Sequence, residues 1–511
     1  MTETFLPLAV AVPLLAAAAA AATGRALVRT MLLIVVEALA AVFGILLVIA
    51  TWDGVVLSAQ VGLWATGIAI PFVADTFAAV MITLTALLGL VCSAYGIAAG
   101  DGVNRYFSPL VLVLSGGVFG ALLTGDLFNL FVFIEVMIMP SYGLIAVFGG
   151  RKRLTAGRLY VTTNLLTSTI FLFGVGLVYG TAGTVNLAEL AGAAQEDGAV
   201  AAGAAVVLIA LSVKAATIPV HGWLTNSYPH ASPAVRALFS GLHTKVAVYA
   251  VYRIYSVVFD GDRTYLWIFV VVACITMTLG VLGGMGEQRA GQILGFHMVS
   301  QMGYIVLGVG LFGPIGLAAG IAYLLHHMVV KAALFMTTGA VQITYGSDEL
   351  GKVRGLARRE PWLAVAFFGA ALSAAGLPIF SGFVAKLLIT RAAVLDGQYA
   401  AAGIGIAVSF FTLVLMVTIW RNMFMGTYTP VSSPESATGS PEDSRRVAVQ
   451  EKTDSQPKAA RRVPWMLVAP PLLLTLVSFA LGVGAEGFLT LADQAAAGLV
   501  DTSAYVEAVR G

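Results

Sequence analysis

Residues 211–253 read LSVKAATIPVHGWLTNSYPHASPAVRALFSGLHTKVAVYAVYR, and they combine two features that a bilayer tolerates poorly. Lys214 and Lys245 lie in apolar helical sequence, where an ionisable side chain costs roughly 3 kcal/mol on insertion scales. Four helix-interrupting residues stand between them: Pro219, Gly222, Pro229 and Pro233. An interrupted helix frees backbone groups that lipid cannot satisfy. The stretch therefore predicts a transport site built on a broken membrane helix.

The composition places this stretch in an all-α polytopic membrane protein. The chain has 511 residues, of which 59% are hydrophobic and 11% charged, whereas soluble proteins carry about 25% charged residues. Cys92 and Cys274 lie in separate apolar runs and form neither a disulfide framework nor a metal site. The sequence lacks the P-loop, CxxC, HExxH and GxSxG motifs. We expect one component of a transporter, with no covalent chemistry, no cofactor, no metal and no nucleic-acid partner.

Apolar runs of the roughly 20 residues needed to cross a bilayer predict about fourteen membrane spans. They lie at about 5–22, 27–50, 71–98, 107–124, 126–148, 157–180, 200–220, 234–259, 264–285, 291–312, 314–342, 361–394, 402–425 and 464–490. With the N-terminus outside, most of the 28 Lys and Arg residues fall in internal loops or in the polar segment 427–463. The external side receives only Arg253, Arg263, Arg391 and Arg510. We expect a multi-pass protein of the bacterial plasma membrane with both termini external.

Two similar motifs suggest an internal repeat. IPVHGW at 218–223 resembles LPIFSGF at 377–383, and the two prolines lie in spans 7 and 12. An odd number of spans per unit inverts the second unit, and inverted units with broken helices are an established transporter architecture. Segment 427–463 is rich in Ser, Pro and charge, which predicts a flexible cytoplasmic linker.

Ionisable residues inside the predicted spans favour a proton relay. Glu135 follows Asp126 by nine residues, about 14 Å along a helix and hence near the membrane midplane. His327 and Lys331 are spaced i, i+4 and share one helix face. The candidate relay residues are Glu135, Lys214, Lys245, His327, Lys331 and Lys386, with His326 in a second tier. Buried lysines and histidines exchange protons when a carboxylate or water lies nearby.

Structural interpretations remain open for several of these residues. Glu135 and Lys214 could instead form an ion pair that only holds two helices together, with Lys245 as part of the same structural contact. The adjacent residues His326 and His327 could make hydrogen bonds between helices. Snorkelling toward the membrane surface is an alternative for Lys331 and for Lys386. We expect the remaining ionisable residues to be anchors or packing groups (Glu37, Asp75, Asp126) or second-tier histidines (His221, His230, His297).

The charge of the relay argues against sodium as its cargo. The path has four ammonium groups and a single carboxylate, so its excess positive charge repels a cation that needs hard oxygen ligands. We therefore expect protons to use this path. If the protein works with Na⁺, we expect that ion to cross elsewhere, in another subunit.

Three motifs resemble the antiporter-like subunits shared by respiratory complex I and the Mrp multisubunit cation/proton antiporters, most closely the Mrp D type. These are GDLFNLFVFIEVM at 125–137, KAATIPVHGWLTNSYPHASPAVRALFSGLHTKVAVYA at 214–250 and GLPIFSGFVAK at 376–386. The resemblance implies fourteen helices, inverted repeats of spans 4–8 and 9–13, and broken helices 7 and 12. It also implies a key pair at Glu135 and Lys214, with further sites at Lys245, at His326, His327 and Lys331, and at Lys386. Pro140 departs from the family pattern and predicts a kink near Glu135.

The domain boundaries follow from these repeats. We expect N-terminal helices 1–3 at 1–106, repeats at 107–259 and 260–426, the linker at 427–463, and helix 14 with an external tail at 464–511. The resemblance implies the proton-translocating subunit of a monovalent cation (Na⁺ or K⁺)/H⁺ antiporter. Its partners would be a larger A-like membrane protein, small membrane subunits and the lipid bilayer. The alternatives are a proton-pumping subunit of a complex I-like or hydrogenase-linked oxidoreductase, and a structural scaffold.

Overall fold

The computed structural model describes residues 3–62, 69–147, 149–428 and 462–510, so most of the predicted linker, 429–461, lies outside the described residues. The helices up to the first break are α1 (Leu8–Ala22), α2 (Ala26–Thr51), α3 (Thr76–Ala99), α4 (Phe107–Leu123), α5 (Leu127–Ala146), α6 (Arg151–Ala182), α7 (Ala193–Glu196) and α8 (Gly198–Lys214). Those of the middle are α9 (Gly222–Ser227), α10 (Pro233–Val258), α11 (Leu266–Met285), α12 (Ala290–Gly310), α13 (Pro314–Tyr345), α14 (Leu356–Arg359) and α15 (Pro361–Ala375). The last are α16 (Ser381–Leu395), α17 (Tyr399–Ile419), α18 (Trp465–Val483), α19 (Ala485–Val500) and α20 (Ser503–Arg510).

The prediction of a polytopic helical membrane protein is confirmed. Among the described residues, 10 helices are long and apolar enough to cross a membrane. They are α1, α2, α3, α5, α6, α11, α12, α13, α17 and α18, and α4, α8 and α15 are shorter apolar helices. The count of fourteen spans and the inverted relation of the two repeats stay predictions.

The chain leaves helical conformation at the two places that the prolines indicated. Helix α8 ends at Lys214 and α9 begins at Gly222, while α15 ends at Ala375 and α16 begins at Ser381. Both breaks place a lysine beside backbone that is not part of a helix. These are the positions at which a membrane helix offers unpaired polar groups to a transport path.

Helix α13 occupies the middle of the molecule, and its most apolar window is completely buried. It packs against α3, α10, α12, α15, α16, α18 and α19. Helices α2, α6 and α11 lie at the periphery, where Leu39, Phe173 and Leu279 expose about half of their surface. Apolar residues on an outer face suit contact with lipid tails, and polar residues collect inside.

Several features were absent from the sequence prediction. Strands β1 (Leu57–Val61) and β2 (Ile70–Ala74) form an antiparallel hairpin in which Leu57 pairs with Ala74. Helix α19 begins inside the predicted last span, 464–490, and with α20 it contains most of the described residues predicted as an external tail. In the connection between α3 and α4, Asp101 accepts a hydrogen bond from Ser232 Oγ at 2.5 Å, and burial raises the pKa of this carboxyl.

Candidate functional site

Glu135, Ser168 and Lys214 form a compact polar cluster between α5, α6 and α8. Lys214 Nζ lies 3.5 Å from Glu135 Oε1, and the two side chains are 3% and 12% exposed. The Ser168 hydroxyl donates to Glu135 Oε1 and accepts from Lys214 Nζ at 3.0 Å. Because the direct contact is long, the serine hydroxyl is the main bridge between acid and base. The pair was predicted from the sequence, whereas the serine was not.

Close packing of α4 on α5 positions this cluster. A Cβ atom at Gly117 would overlap the backbone nitrogen of Met137, one helical half-turn past Glu135. Pro140 lies inside α5, but the helix continues through it to Ala146. Glu135 therefore keeps its place against Lys214 even though a proline follows one turn later.

His243 on α10 contacts residues of α5 and of the segment that follows α9. Its Nε2 lies 2.8 Å from Ser141 Oγ, and its Nδ1 lies 3.2 Å from the Tyr228 hydroxyl. His243 is 3% exposed and precedes Lys245 by two residues. The sequence signal, a histidine close to a membrane lysine, was present but was not given a role.

Lys245 is completely buried and its partners are uncharged. The ammonium donates to the Ser240 carbonyl oxygen and to Thr244 Oγ1 at 3.1 Å. In the described part of the chain it has no carboxylate within ion-pairing distance. The Lys245 ammonium is therefore held by neutral acceptors from its own helix.

Lys331 of α13 is paired with His297 of α12. Its Nζ lies 2.7 Å from His297 Nδ1 and donates to the Leu294 carbonyl at 2.8 Å. His327, one turn earlier, has no hydrogen-bond partner on either ring nitrogen among the described residues. The structure thus gives His297, which the sequence placed in a second tier, a direct contact with a relay lysine.

Lys386 lies just past the second break, and His326 touches the same helix. Lys386 Nζ donates to the Ala375 carbonyl at 3.1 Å, and the residue is 7% exposed. His326 Nδ1 lies 2.9 Å from Ser381 Oγ at the start of α16. The Lys386 head group is therefore held inside the protein, which does not fit the snorkelling alternative. His326, rather than His327, makes the hydrogen bond to α16.

Arg236 and Arg253 lie buried inside α10, although the charge pattern counts Arg253 with the basic residues of the external side. Arg253 Nη2 lies 2.6 Å from Asp75 Oδ2. Arg236 lies 3.8 Å from Asp348, which Arg289 contacts at 2.8 Å. Each arginine sits within about one turn of an end of α10, where the length of an apolar run cannot separate loop from helix. These pairs neutralise buried charge at both ends of the helix that carries Lys245.

The arrangement is a series of titratable groups that runs through the protein interior. It contains the Glu135 cluster, then His243 and Lys245, then the Lys331 pair, and finally His326 with Lys386. No group of His, Cys, Asp and Glu suited to hold a metal ion occurs among the described residues. Such a series is suited to moving protons through intervening water.

The sequence is similar to that of known membrane antiporter proteins. Residues 124–412 match the family model described as NADH:quinone oxidoreductase/Mrp antiporter, transmembrane. The chain is 35% identical over 458 residues to the D-type Na⁺/H⁺ antiporter protein of Alkalihalophilus pseudofirmus, covering 88% of this chain and 87% of that relative. The D-type Na⁺/H⁺ antiporter protein of Bacillus subtilis is 31% identical over 457 residues, with the same coverage.

Solved structures show the same likeness. A chain of the Mrp complex from Dietzia sp. DQ12-45-1b superposes with a TM-score of 0.94 and 51% identity, covering 100% of both chains. A chain of respiratory complex I from Thermus thermophilus superposes with a TM-score of 0.73 at 21% identity, over 96% of this chain and 98% of that one. The second likeness shows a shared fold.

Proposed function

This chain belongs to the NADH:quinone oxidoreductase/Mrp antiporter family, in which it is a cation/H⁺ antiporter subunit of the D type, and we propose that its buried line of side chains is the proton path. The observation that carries the proposal is the Glu135–Ser168–Lys214 cluster at a helix break. A carboxylate beside a lysine stabilises the ammonium, and a change in either charge releases or captures a proton.

In this scheme, external protons enter the path at the end that contains Lys386. They pass the His326, His327 and Lys331 region and Lys245, and reach the Lys214–Glu135 pair. Buried lysines with neutral acceptors supply the intermediate stations, because each one gains or loses a proton without a fixed counter-charge. Water in the two helix breaks joins stations that are too far apart for direct transfer.

The exchanged cation, Na⁺ or K⁺, crosses elsewhere. The path contains four ammonium groups, which repel a second cation at short range. We therefore propose that the metal cation is carried by the partner proteins of the complex, which include a larger A-like membrane protein and small membrane subunits. In this arrangement the protein lies in the bacterial plasma membrane with both termini outside.

Alanine replacement of the central pair tests the proposal. Glu135→Ala and Lys214→Ala should each abolish cation-driven proton movement in everted membrane vesicles, while the complex still assembles on native gels. The matched control is Lys352→Ala, which removes a lysine that is 54% exposed and lies 2.7 Å from Glu349. Antiport that persists in an assembled Glu135 or Lys214 variant would refute the proton path.

The same purified complex separates antiport from redox-driven pumping. The D-type relatives are 31% to 35% identical over most of their length, which favours antiport. Proton movement driven by NADH in the purified complex would instead identify a complex I-like role.

A further inference from the structure

Glu37 is a buried carboxyl that the proposed proton path does not use. It lies on α2, 11 residues past Ala26 and hence about 16 Å into the helix, near the middle of a bilayer about 30 Å thick. The residue is 1% exposed. Its Oε1 accepts a hydrogen bond from Ser115 Oγ of α4 at 2.5 Å, and its Oε2 has no hydrogen-bond partner among the described residues.

Glu37 lies in the middle of a helix with no cation beside it within the described structure, in contrast to several other buried acids. Glu135, Asp75 and Asp348 each lie next to a lysine or an arginine. Among the described residues, no basic group lies within ion-pairing distance of Glu37. Because an isolated ionised carboxylate is very costly in an apolar interior, this group must be neutralised by a proton or by a bound cation.

The packing of α3 favours the proton. A Cβ atom built at Gly89 would lie 2.5 Å from Glu37 Oε2, so the free oxygen already rests against the α3 backbone. A metal cation requires a shell of oxygen ligands around it, and among the described residues Ser115 is the one side chain that hydrogen-bonds to the carboxyl. A proton needs no such space.

The face of α3 that meets Glu37 also carries unpaired hydroxyl groups. Thr85 and Ser93 lie one turn before and one turn after Gly89, and both are 1% exposed. Neither hydroxyl has a hydrogen-bond partner among the described residues. These two hydroxyls make the α3 face near Glu37 polar, but they make no hydrogen bond to the carboxyl in the described structure.

The ionisable groups around this position are few. Helix α2 carries Arg29, which bonds to the carbonyl oxygens of Thr23 and Gly24 at the start of the helix. Helix α3 carries the buried Cys92, and the α3–α4 connection carries Asp101. Helices α1 and α4 contain no ionisable side chain. Nothing in this set supplies a positive charge at the depth of Glu37.

We propose that Glu37, held by Ser115 and packed on Gly89, is a second proton-binding site, separate from the relay, that carries a proton at neutral pH. The ligand is a proton, and the neutral carboxyl keeps α2, α3 and α4 together at mid-membrane. The site does not depend on Glu135 or Lys214.

Infrared difference spectroscopy of the purified complex in lipid nanodiscs tests the proposal. Wild type minus Glu37→Gln should show the carbonyl stretch of a protonated carboxyl at neutral pH, shifted in heavy water and unchanged by added NaCl. Ser115→Ala should shift the same band, because it removes the hydrogen bond, while Glu135→Gln should leave it in place. The Ser115→Ala shift serves as the readout if the Glu37 variant does not assemble.

Two results would overturn the site. Carboxylate bands at neutral pH would show that Glu37 is ionised, and a protonated band that disappears when NaCl is added would show a metal-cation site. Because this readout is spectroscopic, loss or survival of antiport in the relay variants does not affect it.

Discussion

Removal of one hydroxyl group, in Ser168→Ala, should impair the proton path while sparing both of its charged groups. The hydroxyl bonds to Glu135 Oε1 and to Lys214 Nζ. The direct Lys214–Glu135 distance of 3.5 Å is long for a charge-assisted hydrogen bond. Without the hydroxyl, the two charges depend on this weaker contact.

The size of the effect follows from the bonds that are lost. A hydrogen bond to a charged group contributes about 1.5–3 kcal/mol, and about 1.4 kcal/mol corresponds to a tenfold change in an equilibrium constant. Loss of either one of the two bonds of the bridge should therefore reduce the population of the joined pair by about 10- to 150-fold. We expect the antiport rate to fall by at least tenfold if this pair limits turnover.

Cation-driven pH change in everted vesicles is the assay, with the rate normalised to assembled complex. Thr169→Ala is the matched control, since the Thr169 hydroxyl donates to the Leu165 carbonyl on an exposed face of the same helix. Ser168→Thr keeps a hydroxyl and should recover much of the rate. Full activity in an assembled Ser168→Ala complex would show that the bridge has no part in proton transfer.

Three further substitutions have defined outcomes. Arg253→Met leaves Asp75 buried without the guanidinium that lies 2.6 Å from its carboxylate. The unfolding free energy should fall by about 3–5 kcal/mol, which is measured as a lower melting temperature. Adding Asp75→Asn to this variant should partly restore the melting temperature. Gly117→Ala drives a methyl group into the α5 backbone and should cost about 1–3 kcal/mol, seen as less assembled complex; wild-type yield would contradict the packing argument. In Gly376→Ala, the added Cβ atom would lie 2.5 Å from the Lys386 side chain, at a residue whose backbone φ is +86°. Antiport should therefore fall while assembly persists. An unchanged rate would mean that the position of Lys386 is not critical.

Much of the helical architecture was predictable because hydrophobic length and helix-breaking prolines are local properties of the sequence. Pro219 and Pro378 both lie where the chain leaves helical conformation. The β-hairpin and the helices α19 and α20 were missed, since short amphipathic segments give no membrane-length signal. Arg253 was misplaced for a related reason, because a charge near a helix end resembles a loop residue until its partner is known.

The candidate site was predictable in its charged members but not in its neutral ones. A lysine or glutamate in apolar sequence is conspicuous because burying it is costly. Ser168, by contrast, is one of many hydroxyl residues, and only the packing of α6 on α5 and α8 brings it to Glu135. Likewise, the contact of His297 with Lys331 depends on how α12 lies against α13.

Helix α20 closes on segments that are synthesised long before it. Val509 accepts a hydrogen bond from Gln60, which lies 449 residues earlier in the chain, and Arg253 stacks on the Tyr505 ring at 4.7 Å. During biogenesis, the Arg253–Asp75 pair therefore acquires this cover only after α20 has been synthesised. Nascent chains stalled before α20 should lack the Tyr505 ring over that ion pair.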